Sequence, residues 1–225
     1  MAEETVSASM RRRPLPWYVR RAVDGALACV LVFLMATPLA EEVAHEWLGI
    51  ALVALVIVHQ VLNARWWRVL PRGKWTLLRL LVTLVDVALA ICTVALTASS
   101  LVISVHAFSW LPAIPGALWA RPVHMLCSFW LFALALFHMG LHLRVKVPLG
   151  VPGVMAAVLW AAAALAGIAG WLWLDFGSYL VGAVPFYAVD TAQPLLLRVL
   201  AYVLVGALLA GAGCLVRLLL AKGRP

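Results

Sequence analysis

Long apolar runs alternate with short polar, mostly basic segments along this chain of 225 residues. Each run has about the 20 residues that an α-helix needs to cross the hydrocarbon core of a bilayer. An even number of runs returns both termini to the same side of the membrane. The pattern therefore predicts an all-α, polytopic membrane protein with six transmembrane helices, near residues 22–40, 44–63, 76–104, 122–143, 152–173 and 194–220.

The composition agrees with this interpretation. Hydrophobic residues make up 66% and charged residues 12% of the chain, and the mean hydropathy is +1.05, which is unlike a soluble globular domain. The net charge of +8 comes from basic clusters on one face, which the positive-inside rule assigns to the cytoplasm. We expect both termini in the cytoplasm, a bacterial-type cytoplasmic membrane, contact with membrane lipid and no nucleic acid as a partner. The clustered residues are Arg11, Arg12, Arg13, Arg20, Arg21, Arg65, Arg68, Arg72, Lys74, Arg79, Arg144, Lys146, Arg217, Lys222 and Arg224.

The first four runs contain an internal repeat. The sequence Val-Asp-Gly-Ala-Leu-Ala at residues 23–28 matches Val-Asp-Val-Ala-Leu-Ala 62 residues later, and a histidine pair of the second run recurs 79 residues later. The repeat indicates that the first run is a retained span and not a signal peptide. We therefore divide the chain into a basic segment (1–21), a tandem-repeat four-helix bundle of two helix pairs (22–146) and a two-helix C-terminal extension (147–225).

Four histidines carry the candidate chemistry. His45 and His59 lie in the second run, His124 and His138 lie in the fourth, and 14 residues separate the members of each pair. Fourteen residues are about four helical turns and about 21 Å of rise, so both members face nearly the same way at different depths. Since both runs cross in the same direction, equal depth pairs His45 with His124 near the outer face and His59 with His138 nearer the cytoplasm.

Facing imidazoles in the core of a helix bundle are typical of a haem site. The pattern predicts two b-type haems, each held by two histidines. Attachment should be non-covalent because the chain has no C-x-x-C-H sequence. The alternative is a zinc or copper ion or a proton pathway, but no acidic or thiol residue accompanies either pair. Disulfides are not expected, because all cysteines lie inside predicted spans: Cys29, Cys92, Cys127 and Cys214.

Smaller features near the histidines support a haem site. Gly49 lies one turn after the first histidine of its run, where a missing side chain leaves room for a flat macrocycle. Ser128 is the corresponding residue of the fourth run, small and able to form a hydrogen bond. His142 lies one turn after His138 and is an alternative ligand, a propionate or quinone neighbour, or a structural residue. His106, beyond the third run, is interpreted as structural.

Haem propionates favour cationic partners where they approach the membrane surface. The predicted outer face carries only Arg121 and Arg198, so we expect these two arginines to bind the propionates of the outer haem. The inner haem has more candidates, which are Arg65, Arg79 and Arg144.

Two aspartates occupy equivalent positions of the repeat within predicted spans. Asp24 follows Arg20 and Arg21, and Asp86 follows Arg79. Pairing with arginine one or two turns away would lower the cost of placing a carboxylate in the membrane. We therefore interpret the aspartates as structural anchors, with proton delivery to a quinone near the inner haem as the alternative.

The segments around the histidines resemble the flavinylation-associated cytochrome family. This resemblance implies a membrane b-type di-haem cytochrome that works with extracytosolic flavin-bearing domains. The chain departs from the family at residues 99–104, where a glycine is expected, which weakens the expectation of close packing there. The similar segments are residues 45–49, His59, 63–66, 121–124, 128–130, 138–142, 175–177 and 186–190.

Two haems near opposite faces would carry electrons across the membrane. The chain has no nucleotide-binding glycine motif, so we expect partners at both ends: a cytoplasmic or quinone-pool donor and an extracytosolic flavoprotein, with the direction open. An electron-transfer subunit is favoured over a stand-alone enzyme. The alternatives are a quinol-oxidising or superoxide-handling oxidoreductase using the same haems, and a haem-free transporter or ion-translocating protein. Prolines that interrupt helices would favour a transporter, but Pro38, Pro122, Pro148 and Pro194 lie near run ends.

Overall fold

The computed structural model describes residues 17–37, 42–112, 114–143, 153–184 and 193–222, and this part of the chain contains helices and no strand. The all-α prediction is confirmed. The helices are α1 (Trp17–Ala36), α2 (Glu42–Leu62), α3 (Ala64–Val69), α4 (Leu77–Ile103), α5 (Ala117–His142), α6 (Gly153–Trp173), α7 (Phe176–Leu180) and α8 (Leu195–Lys222). Sequence features that lie outside the described residues are 11–13, Pro38, Glu41, Arg144, Lys146, Pro148, 186–190 and Arg224.

Five of these helices, α2, α4, α5, α6 and α8, are long and apolar enough to cross a membrane. The sequence predicts six spans. The first run forms α1, a helix of 20 residues, but Arg20, Arg21 and Asp24 place three charges in it. Charged residues are costly within the hydrocarbon core, so length and composition by themselves do not make α1 a span.

Two helix boundaries differ from the predicted runs. α1 begins at Trp17, earlier than predicted, because arginine is a good helix former and the arginines before the apolar run extend the helix. It ends at Ala36, because Thr37 precedes a proline and is therefore disfavoured in the α conformation. α5 begins at Ala117, so that Pro122 lies inside the helix and not at its start. A proline inside a helix removes one backbone hydrogen bond, whereas a proline in the first turn removes none.

The tandem repeat is visible in the packing. α1 packs against α2, and α4 packs against α5, so each repeat forms a helix pair. The C-terminal helix α8 lies between elements, in contact with α1, α4, α5 and α6. Glycines permit its close approach: an added Cβ at Gly140 would collide with the backbone of Ala210, and one at Gly213 would collide with the backbone of Phe137. α8 therefore clamps the helix pairs together.

α2 is the least packed of the long helices. Its one buried residue is Leu52, whereas α5 buries a row of residues that includes Phe129 and Phe132. Within the described ranges, α2 and α5 do not pack along each other, although both carry candidate histidines. The two histidine helices are therefore held apart, and a closed four-helix bundle is not formed by protein contacts alone.

Candidate functional site

The rings of His45 and His124 face each other between α2 and α5. Their centroids are 6.2 Å apart and their planes are tilted by 55°. A metal ion bound by one nitrogen of each ring, at about 2.0–2.1 Å, would separate the centroids by about 6 Å. The structure therefore brings together the pair that equal depth predicts, at a separation that fits one metal centre. We refer to these two histidines and Ser100 as the His45–His124 site.

Among the described residues, no charged group contacts the Nδ1 atoms of the His45–His124 site. The Ser100 hydroxyl donates to the Leu96 carbonyl at 2.8 Å, so its oxygen accepts from His124 Nδ1 at 3.2 Å. This hydrogen bond leaves the lone pair of His124 on Nε2. His45 Nδ1 is buried and has no hydrogen-bond partner. Sequence reasoning missed Ser100, which lies in the segment that departs from the family pattern. Its neighbour Ser99 is 0% exposed, so this segment is closely packed after all.

Glu46, next to His45 in the chain, ties α2 to the segment that follows α4. Its carboxylate accepts from the Ser104 hydroxyl at 2.7 Å, from the Val105 N–H at 2.8 Å and from the Ala107 N–H at 2.6 Å. The His106 N–H is 3.1 Å away. Hydrogen bonds to an ionised group are shorter and stronger than neutral ones. Since α2 packs little elsewhere, this contact fixes the position of His45 relative to the second repeat.

The deeper histidines each meet an aspartate of their own repeat. His59 Nδ1 lies 2.8 Å from Asp24 Oδ1, and His138 Nδ1 lies 2.9 Å from Asp86 Oδ1, the latter without the alignment of a hydrogen bond. We call these two pairs the Asp–His dyads. A carboxylate can only accept, so the Asp24 contact places the proton of His59 on Nδ1 and leaves its Nε2 free to bind a metal.

The dyads correct two expectations. Aspartates do accompany the deeper histidines, contrary to the statement that no acidic residue accompanies either pair. The partners of the aspartates were expected to be arginines, but in the described part of the chain the ion pairs of Asp24 and Asp86 are to histidine. Arg79 instead donates to the carbonyls of Val69 at 3.0 Å and Leu70 at 2.8 Å. The repeat itself held the missed signal, since it repeats the aspartate together with the deeper histidine in each helix pair.

Further polar groups gather near the second dyad. The His142 ring lies 4.6 Å from the His138 ring. Arg217, on α8, donates to the Leu141 carbonyl at 2.9 Å. His59 and His138 are not in ring contact. His142 therefore lies beside a candidate ligand, and the choice between it and His138 stays open.

The supporting residues of the His45–His124 site differ in their surroundings. An added Cβ at Gly49 would meet no atom within 4 Å, as expected for a position that leaves space. The Nε and Nη1 atoms of Arg198 are buried without a hydrogen-bond partner, whereas Arg121 is exposed. The Ser128 hydroxyl donates to the Met125 carbonyl of its own helix at 2.9 Å. Arg198 is thus the arginine with unsatisfied donors, and such donors are rare unless a ligand completes them.

The structure also describes the remaining histidine and the four cysteines. His106 Nε2 lies 3.5 Å from Glu42 Oε2, a surface contact that suits a structural role. All four cysteines are free. The described residues contain no group of three or more histidine, cysteine, aspartate or glutamate side chains that could hold a metal ion by themselves. A haem iron requires only two protein ligands, and the facing pair of His45 and His124 has that number.

Comparisons with known proteins give no further identification. No protein-family model matches this chain, and no curated protein and no solved structure is significantly similar to it. The resemblance to flavinylation-associated cytochromes therefore stays a prediction from the segments around the histidines.

Proposed function

We propose that this protein is a membrane b-type di-haem cytochrome that carries electrons across the membrane. The proposed architecture has six spans, with α1 as the first, and a four-helix haem-binding bundle of two tandem helix pairs. Asp24 of α1 contacts His59 of α2, and Leu31 and Met35 of α1 belong to the main core. These contacts support α1 as a span, because the dyad offsets part of the cost of its carboxylate in the membrane.

The observation that carries the proposal is the separation of 6.2 Å between the rings of His45 and His124. Two imidazoles at this separation would both be able to bind one iron ion. They lie on α2 and α5, which do not pack along each other within the described ranges.

The donor groups around the site also fit a haem. His45 and His124 would bind its iron, the absent side chain of Gly49 would leave room for its ring, and Arg198 would donate to a propionate through its unsatisfied nitrogens. At the opposite end His59 and His138 would bind the second haem, with His142 beside it. When bound, the two haems supply reversible one-electron redox chemistry.

The partners follow from the predicted topology and the family resemblance. Basic segments assign the end of the Asp–His dyads to the cytoplasm and the His45–His124 site to the outer face. The outer partner would be an extracytosolic flavoprotein, and the inner partner a cytoplasmic donor or the quinone pool. A quinol-oxidising or superoxide-handling enzyme would use the same residues, and it differs by showing turnover with quinol or superoxide in the absence of a protein partner.

One observation favours a second function, a haem-free ion-translocating protein. Ionisable residues within spans often mark proton pathways, and both Asp–His dyads combine a carboxylate with an imidazole. Such a protein would contain no haem, so the haem content of the purified protein distinguishes the two proposals.

The test is a quantitative haem assay with reduced-minus-oxidised spectra on the purified full chain. We expect two b-type haems per protein, and one haem each for His45→Ala and His138→Ala. His106→Ala is the matched control, and this variant should keep both haems. His106 is not a candidate ligand, and its ring contacts Glu42 at 3.5 Å. A folded wild-type protein that contains no haem after expression with ample haem would refute the proposal and favour the ion-translocating protein.

A further inference from the structure

The two candidate haem sites differ in the charge of the groups that contact their histidines. At the His45–His124 site, one Nδ1 contacts a serine hydroxyl at 3.2 Å and the other has no partner. In the Asp–His dyads, both Nδ1 atoms lie within 2.9 Å of a carboxylate oxygen. The tandem repeat therefore duplicates the histidines at both depths but supplies aspartates at only one depth.

A carboxylate that accepts from the distal nitrogen of a ligating histidine fixes the tautomer and raises the basicity of the ligand. A more basic ligand donates more electron density to the metal, which favours the oxidised state. The negative charge acts in the same direction, because it stabilises the additional positive charge of oxidised iron. Both effects lower the reduction potential at the dyads. At the His45–His124 site the neighbouring carboxylate, Glu46, is hydrogen-bonded to the segment after α4 and not to either imidazole, so its effect on the potential there should be smaller.

We infer that Asp24 and Asp86 are positioning residues that lower the reduction potential at the dyads. With their carboxylates beside the Nδ1 atoms of His59 and His138, a haem held at the dyads would have a lower reduction potential than a haem held at the His45–His124 site. This inference rests on the proposed function. Electron transfer from the dyad end to the outer end would then run toward the higher potential. A quinol at the dyad end would supply two electrons, one at a time, and release two protons to the solvent, and a flavin at the outer end would accept the electrons and take up protons from the solvent there.

The two aspartates should differ in the size of their effects. The side chain of Asp86 is 11% exposed, whereas that of Asp24 is 49% exposed. Solvent screens an exposed charge more than a buried one. The charge of Asp86 should therefore contribute more to the potential than the charge of Asp24.

Redox potentiometry of the purified full chain, followed at the visible bands of haem b, tests the inference. Asp86→Asn is expected to raise the midpoint potential of the lower-potential transition by at least 59 mV. This shift corresponds to a tenfold change in the reduction equilibrium for one electron. Asp24→Asn should raise it less, and Asp86→Glu should return it toward the wild-type value. The higher-potential transition should not move in any of these variants, and His45→Ala should remove it.

The control is Glu42→Gln, which removes a carboxylate that contacts a histidine, His106, outside both sites. It should leave both transitions unchanged. The inference is overturned if both haems are bound and the asparagine variants leave the lower transition in place, or if both transitions move equally. If Asp86→Asn loses haem, Asp24→Asn and Asp86→Glu carry the test. A wild-type protein without haem would instead refute the proposed function, so the two failures are distinguishable.

Discussion

The His45–His124 site and the Asp–His dyads lie at two depths of one tandem repeat, and they are built differently. The first site has its rings at 6.2 Å and, in the described part of the chain, no carboxylate against either Nδ1 atom. The second has a carboxylate against each Nδ1 atom. Repetition of the helix pair thus duplicates the ligands at each depth, while the groups that contact the ligands differ between the two depths.

The difference also concerns how each site is held. Each dyad joins the two helices of one repeat, since Asp24 and His59 lie on α1 and α2 and Asp86 and His138 lie on α4 and α5. The His45–His124 site joins the two repeats. Glu46 links α2 with the segment after α4 through its hydrogen bonds, and the contact of Glu42 with His106 at 3.5 Å adds to this link. The first site therefore depends on the relative position of the repeats, and the dyads do not.

The largest expected effect comes from filling the space beside His45. Gly49→Leu should abolish haem binding at the His45–His124 site, because the added side chain would occupy room that the proposal assigns to the macrocycle, and it should leave the other haem bound. The haem-to-protein ratio should fall from two to one. Gly25→Leu is the matched control, because an added Cβ there also meets no atom within 4 Å. Retention of two haems in Gly49→Leu would show that this space is not used.

A smaller effect is expected from weakening the contact that orders the two repeats. Glu46→Gln should lower the free energy of unfolding by about 1–2 kcal/mol, the lower part of the range for hydrogen bonds to a charged group, because the carboxylate is half-buried. Hydrogen exchange should increase at residues 105–107. Glu42→Gln removes an exposed surface contact and should change stability by about 0–1 kcal/mol. Equal thermal unfolding of the two variants would contradict the role given to Glu46.

Arg198 should have opposite effects on the haem-free and the haem-bound protein. Arg198→Met removes buried donors without partners, which cost about 1–3 kcal/mol, so it should stabilise the haem-free chain. The same change should weaken haem retention at the His45–His124 site during detergent exchange, whereas Arg121→Met, at an exposed arginine, should have little effect. If Arg198→Met destabilises the haem-free protein, the unsatisfied donors are not explained by a missing ligand.

The smallest effect is expected at Ser100. Ser100→Ala removes the oxygen that accepts from His124 Nδ1 at 3.2 Å, a neutral hydrogen bond that contributes about 0.5–1.5 kcal/mol. In Ser100→Ala the midpoint potential of the higher-potential transition should shift. This shift should be smaller than the shift of the lower-potential transition in Asp86→Asn. Both haems should stay bound. A larger shift in Ser100→Ala would remove the distinction between the neutral and the charged site.

Much of the helical organisation follows directly from the sequence. The runs near 44–63, 76–104 and 152–173 agree closely with α2, α4 and α6, because apolar length is a local property. The bounds of the run near 22–40 differ from those of α1, and Pro122 lies inside α5 and not at its start. Helix ends depend on backbone conformation and capping, which a hydropathy pattern does not show. The facing of His45 and His124 was predictable, since equal spacing on repeat-related helices places ligands at equal depth.

The sequence by itself determined the all-helical class, the apolar runs and the common face of the histidines on each helix, because these follow from composition and from helical periodicity. Only the tertiary structure decided that aspartate contacts histidine in each repeat, that Glu46 joins the repeats and that α8 packs between the helix pairs. Such contacts depend on the rotation of each helix and on its distance from its neighbours. Glycines of α5 and α8 permit the closest approach, and the resulting packing selects which polar groups meet.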